Sequence, residues 1–294
     1  MFQSIKIIGD NIHNGVHGLF VFIFGDCKLI THSKITIVCY DVASGTRLAL
    51  KYAKHRGDDA SIIAKLEQEL ALWVKSADTH HYVSGFAHPK LMVFTNDKPF
   101  EAQFFQWGLI PSWVKLKSAA KTLQNQTLNA RAETIFDKPA FRHAAKERRC
   151  LIYVDAFYEH HHYKGKTYPF HISMKDESPL CLAGLWDEWV DMETGEVINT
   201  VAIVTTKANM MMAKIHNSPK LAEARMPVIL PKEVQNEWLT ACNTEEDKNK
   251  LLALLQPLDD ALLNYHTVHR LKGKEAIGDV AEAEKEFVYA ELVF

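Results

Sequence analysis

Four short segments of this 294-residue chain place ionisable or hydrogen-bonding side chains at the ends of apolar runs, where a rigid scaffold meets a cleft. They are LNARAET (Leu128 to Thr134), VDAFYEH (Val154 to His160), AIVTTKAN (Ala202 to Asn209) and KIHNSPKLAEARMPVIL (Lys214 to Leu230). Glu159 closes a run of apolar and aromatic residues, so partial burial there would raise its pKa and leave a protonated carboxyl to donate. The alternative is an exposed acid at a strand end. His216 follows a short helical pattern and precedes an irregular Asn-Ser-Pro stretch, where an imidazole serves either proton transfer or structure. A fifth segment, ITIVCYDVASG (Ile35 to Gly45), holds Cys39, an ordinary small residue when internal but a paired amine and thiol nucleophile when it comes first. The triplet His160, His161, His162 invites a metal, yet three consecutive residues on a strand or turn cannot all face one ion. No metal and no cofactor are expected.

The elements that must hold these residues are legible in part. SIIAKLEQELALWVKS (Ser61 to Ser76) spaces Ile62, Leu66, Leu70 and Trp73 for a helix, with Ser61 and nearby acids suited to its start. Runs rich in aromatic and β-branched residues read as strands: LMVFT from Leu91, AQFFQWGLI from Ala102, CLIYVDAFYE from Cys150, YPFHISM from Tyr168, LCLAGLW from Leu180 and TVAIVTT from Thr200. HHHYKGKTY and DMETGEV join pairs of them as short turns, and helical patterns recur at Ala208 to Ile215, Lys232 to Ala241 and Lys248 to Leu255. Hairpins interspersed with helices predict an α+β domain with a mostly antiparallel sheet or barrel core flanked by helices, not repeated βαβ units. Residues 1–38 show no sustained period and do not read as part of that core.

Composition narrows the class. The five cysteines (Cys27, Cys39, Cys150, Cys181, Cys242) are odd in number and lack a C-x-x-C pair, which argues against a disulfide framework or thiolate zinc site and for a reducing, intracellular setting. LFVFIF (Leu19 to Phe24) is too short for a membrane span and lacks a cationic flank, so no membrane association is expected. The formal net charge of -2 conceals an uneven distribution. Between Val114 and Arg149 nine Lys and Arg face three acids, whereas the stretch from Glu275 to Phe294 has six acids and one Lys. A basic middle is either a solvated face or a binding surface for a polyanion.

Taken in order, WGLIPSW, LNARAET, VDAFYEH, IHNSPKLAEARMPVIL and YHTVHRLKG resemble the SOS response-associated peptidase (SRAP) family over roughly Cys39 to Gly273. The resemblance implies a protein that shields abasic sites in single-stranded DNA. An N-terminal cysteine would close on the aldehyde of the opened sugar to give a thiazolidine. Matched to this sequence, the site would comprise Cys39, Asn129, Glu159 and His216. Glu159 would serve ring opening and imine formation, His216 a second proton transfer, and Asn129 the alignment of cysteine and sugar; a turn-stabilising Asn is the plainer reading of that residue. Arg131 and Arg225, then Lys138 and Arg142, are the expected phosphate contacts, and Trp107 and Trp113 either stack on flanking bases or pack in the core.

The family begins Met-Cys, whereas this sequence begins MFQSIK. Cys39 follows Val38, and a GTG codon read as valine internally can serve as a bacterial start. Residues 1–38 are then an upstream extension and residues 39–294 a single SRAP domain; the alternatives are a real extension cut before Cys39, or a Cys39 that stays internal. The expectation is a monomeric, cytoplasmic bacterial protein, nucleoid-associated when bound to abasic single-stranded DNA, with possible outcomes of (auto)peptidase or lyase activity. A thiol peptidase using Cys39 with His216, and a non-covalent single-strand binding module, are the competing functions.

Overall fold

A computed structural model describes residues 41–44, 54, 57–73 and 80–294. Twelve strands form two sheets among these residues. The larger contains β3 (Lys90–Thr95), β4 (Gln103–Trp107), β6 (Arg149–Val154), β9 (Leu180–Val190) and β10 (Val197–Lys207) in the order β10-β4-β3-β6-β9. β9 also pairs with β10, which closes these five strands into a ring. All contacts around the ring are antiparallel except β10 with β4. Closure removes the exposed edges that five such apolar strands would otherwise present.

Every strand of the ring obeys the period of two and builds a different core on each side. On one side Met92, Phe94, Leu151, Tyr153, Ala183, Leu185, Ala202 and Val204 pack with Trp238 and Leu251. Those last two come from α5 (Lys232–Trp238) and α6 (Glu245–Ala253), the second opened by a capping box between Thr244 and Asp247. Ile62 and Ile63 of α1 (Ala60–Trp73) pack against the same core. Leu91, Val93, Ile152, Leu182, Val201 and Ile203 make the second core, shared with Phe157, Phe170 and Ile172 of the other sheet.

That sheet is wholly antiparallel, in the order β12-β8-β7-β1-β2, with β1 (Asp41–Ser44), β2 (His80–Ser84), β7 (Ala156–Tyr163), β8 (Lys166–Met174) and β12 (Leu263–Thr267). The β7–β8 turn has positive φ at both central residues, Lys164 (47°) and Gly165 (76°), the condition for a two-residue hairpin. Two further short strands, β5 (Asn129–Arg131) and β11 (Arg225–Pro227), flank the last residues of β10 on opposite sides. Helices α2 (Lys117–Gln126), α3 (Arg142–Glu147) and α4 (Met210–Ile215) complete the α+β architecture that the hairpin and helix patterns predict.

Two readings need correction. CLIYVDAFYE is not one strand: it divides at Asp155 into β6 of the ring and β7 of the second sheet, and because both halves are continuous apolar runs, buried on both faces, only the single Asp marks the change of sheet. The helix at Ala208 begins two residues later, because Asn209 is its N-cap and accepts from Met212 N–H at 2.8 Å. Among the described residues no helix is long and apolar enough to cross a membrane.

Candidate functional site

Glu159 lies on β7 opposite Phe170 of β8 and is only 5% exposed, which excludes the exposed strand-end alternative. Oε1 accepts from the His160 N–H at 2.9 Å, while Oε2 is buried with no hydrogen-bond partner among the described residues. His216 reaches the same place from α4, whose Met212 and Ile215 anchor it in the second core. As the C-cap, His216 donates its N–H to Met212 C=O at 2.7 Å, and its ring is 2% exposed. Nδ1 is 2.9 Å from the Arg225 carbonyl and 3.6 Å from Glu159 Oε2. The carbonyl can only accept and the Arg225 N–H, 3.3 Å from the same nitrogen, can only donate; the shorter contact, to the carbonyl, favours the proton on Nδ1 and the lone pair on Nε2. Nε2 is also buried and has no hydrogen-bond partner among the described residues.

Burial raises the Glu159 pKa, and His216 opposes the rise without reversing it. A carboxyl that holds its proton more tightly than usual and an imidazole therefore lie side by side in a buried place. Together they can give a proton to one atom and take one from another.

The turn carrying His216 is fastened to β7. Asn217 Oδ1 accepts from the His162 N–H at 2.7 Å, and its Nδ2 donates to the His162 C=O at 3.0 Å, so one side chain imitates a neighbouring strand. His161, whose Nδ1 lies 2.9 Å from the Lys214 carbonyl, packs edge-on to Phe170 and Phe294. His160 is drawn down to about 4 by burial. The triplet is thus divided among separate tasks. On β1, buried Asp41 pairs in register with Tyr158, the neighbour of Glu159, and its Oδ2 is 2.6 Å from Lys272 Nζ.

A charged network surrounds the end of β10. Arg225 is fully buried: Nη1 and Nη2 reach the two oxygens of Glu133 at 2.9 and 2.8 Å, and Nη2 also donates to the Thr205 carbonyl at 2.7 Å. Burial raises Glu133, but the Arg225 hydrogen bond and the charges of Arg225 and Arg131 outweigh it and hold the carboxyl below its ordinary value. Glu223 Oε2 lies 3.1 Å from Arg225 Nη1 and 3.2 Å from Arg131 Nη2, and its Oε1 lies 3.6 Å from Lys207 Nζ. Arg225, expected as an open phosphate contact, is therefore covered by protein carboxylates, whereas Arg131 is 43% exposed.

Trp107 also departs from the stacking role: it is fully buried and donates Nε1–H to the Leu128 carbonyl at 2.8 Å. Trp113 is 56% exposed and shares a surface cleft of about 500 Å³ with Pro139, Arg142 and His143. Arg142 is exposed at the start of α3 and Lys138 in the turn before it. Asn129 opens β5 opposite Ile203 of β10 and is half-buried. Cys39 lies outside the described residues. Sequence reasoning missed Asp41, Asn217, Glu133 and Glu223. The mirrored triplets Arg131-Ala132-Glu133 and Glu223-Ala224-Arg225 carried a signal for the last two, an acid and a base two residues apart in each, although Glu133 lies in a single 3-10 turn after β5 and not in an extended chain.

Fold and site define an α+β protein with a five-stranded ring, a second sheet against it, and a buried acid and imidazole between the sheet and α4. The family model for SOS response associated peptidase (SRAP) matches residues 51–274, and the chain belongs to that family. It is 41% identical over 155 residues to the abasic site processing protein YoqW of Bacillus subtilis, a match covering 52% of this chain and 63% of the relative. The match to the abasic site processing protein HMCES of Pongo abelii has 31% identity over 193 residues and covers 55% of this chain and 51% of that protein. Both matches thus span less than two thirds of the relative's length. A crystal structure of a protein from Bacteroides thetaiotaomicron superposes with a TM-score of 0.71 and 29% identity, covering 85% of this chain and 100% of the other.

Proposed function

We propose that this protein processes abasic sites in single-stranded DNA by attaching itself to them through Cys39. The observation that carries the reading is the buried pair of Glu159 and His216, 3.6 Å apart, in a chain of the SRAP family. Two relatives named abasic site processing proteins support the same substrate. Asp41 follows Cys39 by two residues, and its pairing with Tyr158 supports delivery of that part of the chain to Glu159.

The chemistry needs a free amine on Cys39. Its reference pKa near 8 leaves far more free base at neutral pH than lysine at about 10.4. The amine attacks C1′ of the open-chain sugar, Glu159 protonates the departing hydroxyl, and water leaves as the imine forms. The Cys39 sulfur then adds to the imine carbon, its proton passes to the ring nitrogen, and a thiazolidine results with one water released overall. His216 Nε2 accepts a proton from a sugar hydroxyl during ring opening. Asn129 aligns cysteine and sugar, Arg131, Lys138 and Arg142 meet phosphates, and Trp113 offers a face to a flanking base. The protein acts in the cytoplasm on nucleoid DNA, with residues 1–38 absent or removed. Lyase or self-cleaving activity would use the same cysteine.

The test compares the chain starting at Met1 with one starting Met-Cys39, each incubated with abasic and intact single strands and followed by denaturing gel and intact mass. A denaturation-resistant adduct formed only by the short form, and only on the abasic strand, is expected. Crosslinking by an uncleaved long form would falsify the free-amine step. Loss of mass equal to residues 1–38 before crosslinking would assign self-processing, and strand binding without any adduct would assign the non-covalent module. In the short form, Glu159→Gln is expected to slow adduct formation by about 100-fold, the low end for removing a general acid, while intact-strand affinity stays within twofold.

A further inference from the structure

We infer that the Glu223 carboxylate occupies a cradle suited to a backbone phosphate, and that a phosphate of the bound strand displaces it. The inference rests on the strand-binding reading above and concerns how the strand gains entry. Three cations from three elements converge on this one side chain: Arg131 from the end of β5 at 3.2 Å, Lys207 from the end of β10 at 3.6 Å, and Arg225 from the start of β11 at 3.1 Å. Three positive groups around a single carboxylate form an anion site already filled by the protein's own anion. A phosphodiester carries the same charge on two non-bridging oxygens and can take the same place.

The two carboxylates of the network differ in how they are held. Glu133 grips Arg225 through two parallel hydrogen bonds and follows β5 directly. Glu223 stands in the irregular segment between α4 and β11, is 36% exposed, and has no ladder bond to break when it swings away. Arg225 is completely covered while Glu223 stays; withdrawal of that side chain opens the Glu223 side of Nη1 and leaves Lys207 without its carboxylate, while Glu133 alone, bonded to Arg225 and 3.7 Å from Arg131, faces three cations. Glu133 remains as the support that keeps Arg225 in position. Strand entry is thus an exchange of one anion for another, which weakens the hold on any intact strand and leaves retention to the covalent step.

The decisive measurement is binding of an intact single-stranded oligonucleotide, by fluorescence anisotropy over a range of salt, to the form starting at Cys39. Glu223→Gln is compared with Glu246→Gln, which removes an equal charge from an exposed pair with Lys250 on α6. Glu223→Gln should bind about three- to tenfold more tightly at low salt, the scale of releasing two or three exposed ion pairs. Its log–log salt slope should steepen by up to about 0.7, one additional phosphate on a single strand. Lys207→Gln in the Glu223→Gln background should return most of the gain. Inorganic phosphate added at constant ionic strength should not displace the oligonucleotide; displacement would mark a site for small anions and not for a strand. A Glu223→Gln variant no tighter than Glu246→Gln, or weaker than the parent with unchanged thermal unfolding, overturns the cradle while strand binding stands. Failure of the parent and all variants to bind any strand overturns the strand-binding reading as well.

Discussion

A carboxyl at 5% exposure, with one oxygen lacking a hydrogen-bond partner among the described residues, is held against its own ionisation. Because the folded-state pKa of Glu159 is raised, folded protein binds its proton more tightly than unfolded protein does. The stabilisation from the protonated acid is complete below the unfolded value near 4.5 and disappears as pH rises through the folded value. Glu159→Gln should therefore leave stability nearly unchanged at pH 4 and increase it at pH 8, in chemical denaturation at the two pH values. A variant equally stable at both would show that Glu159 is ionised without cost. Glu159 stood out because it closes an apolar run with an ionisable group, and His216 because it ends a short helical pattern before an irregular stretch. Arg225 was legible as a cation but not as a covered one, since its partner Glu133 lies 92 positions away and no local pattern pairs them. Asn217 was hidden for the same reason: its two bonds go to His162, 55 positions back.

At the scale of elements, WGLIPSW shows how one segment divides its roles. Trp107 ends β4 inside the second core, and Trp113 emerges six residues later into solvent. Trp107→Ala should cost about 3–5 kcal/mol of stability through the cavity it leaves. Trp113→Ala should change stability by less than about 0.5 kcal/mol and weaken strand binding by about 1–3 kcal/mol. Denaturant unfolding and anisotropy separate the two, and a reversed order would exchange their assignments. Between them Gly108 has φ +108°, and a Cβ there would stand 2.6 Å from Gln124 Cγ and 2.7 Å from its carbonyl oxygen. Gly108→Ala is expected to lose about 1–3 kcal/mol by strain and overpacking, read from the denaturation midpoint. The long strands and α5 and α6 could be read from periodicity, whereas β1, β5, β11 and β12 could not. Three to five residues contain too few alternations to stand out, and what makes them strands is a partner distant in sequence.

For the molecule as a whole, β10 is the strand on which most depends: it pairs with β9, β4, β5 and β11, completes the ring, and directs the chain into α4 and His216. Each of these pairings except the hairpin with β9 joins it to a separately positioned segment, and the parallel contact with β4 reaches back more than ninety residues. On the ribosome, where synthesis proceeds at about 5–20 residues per second, β3, β4, β6 and β9 emerge as a sheet with two open edges and an apolar surface on each face. Until Lys207 has cleared the exit tunnel that sheet lacks its fifth strand, and any neighbouring nascent chain can supply one. A ribosome that pauses after β9 has emerged and before Lys207 clears the tunnel therefore displays a sticky intermediate, and the same delay keeps Glu159 apart from His216 until the ring can close.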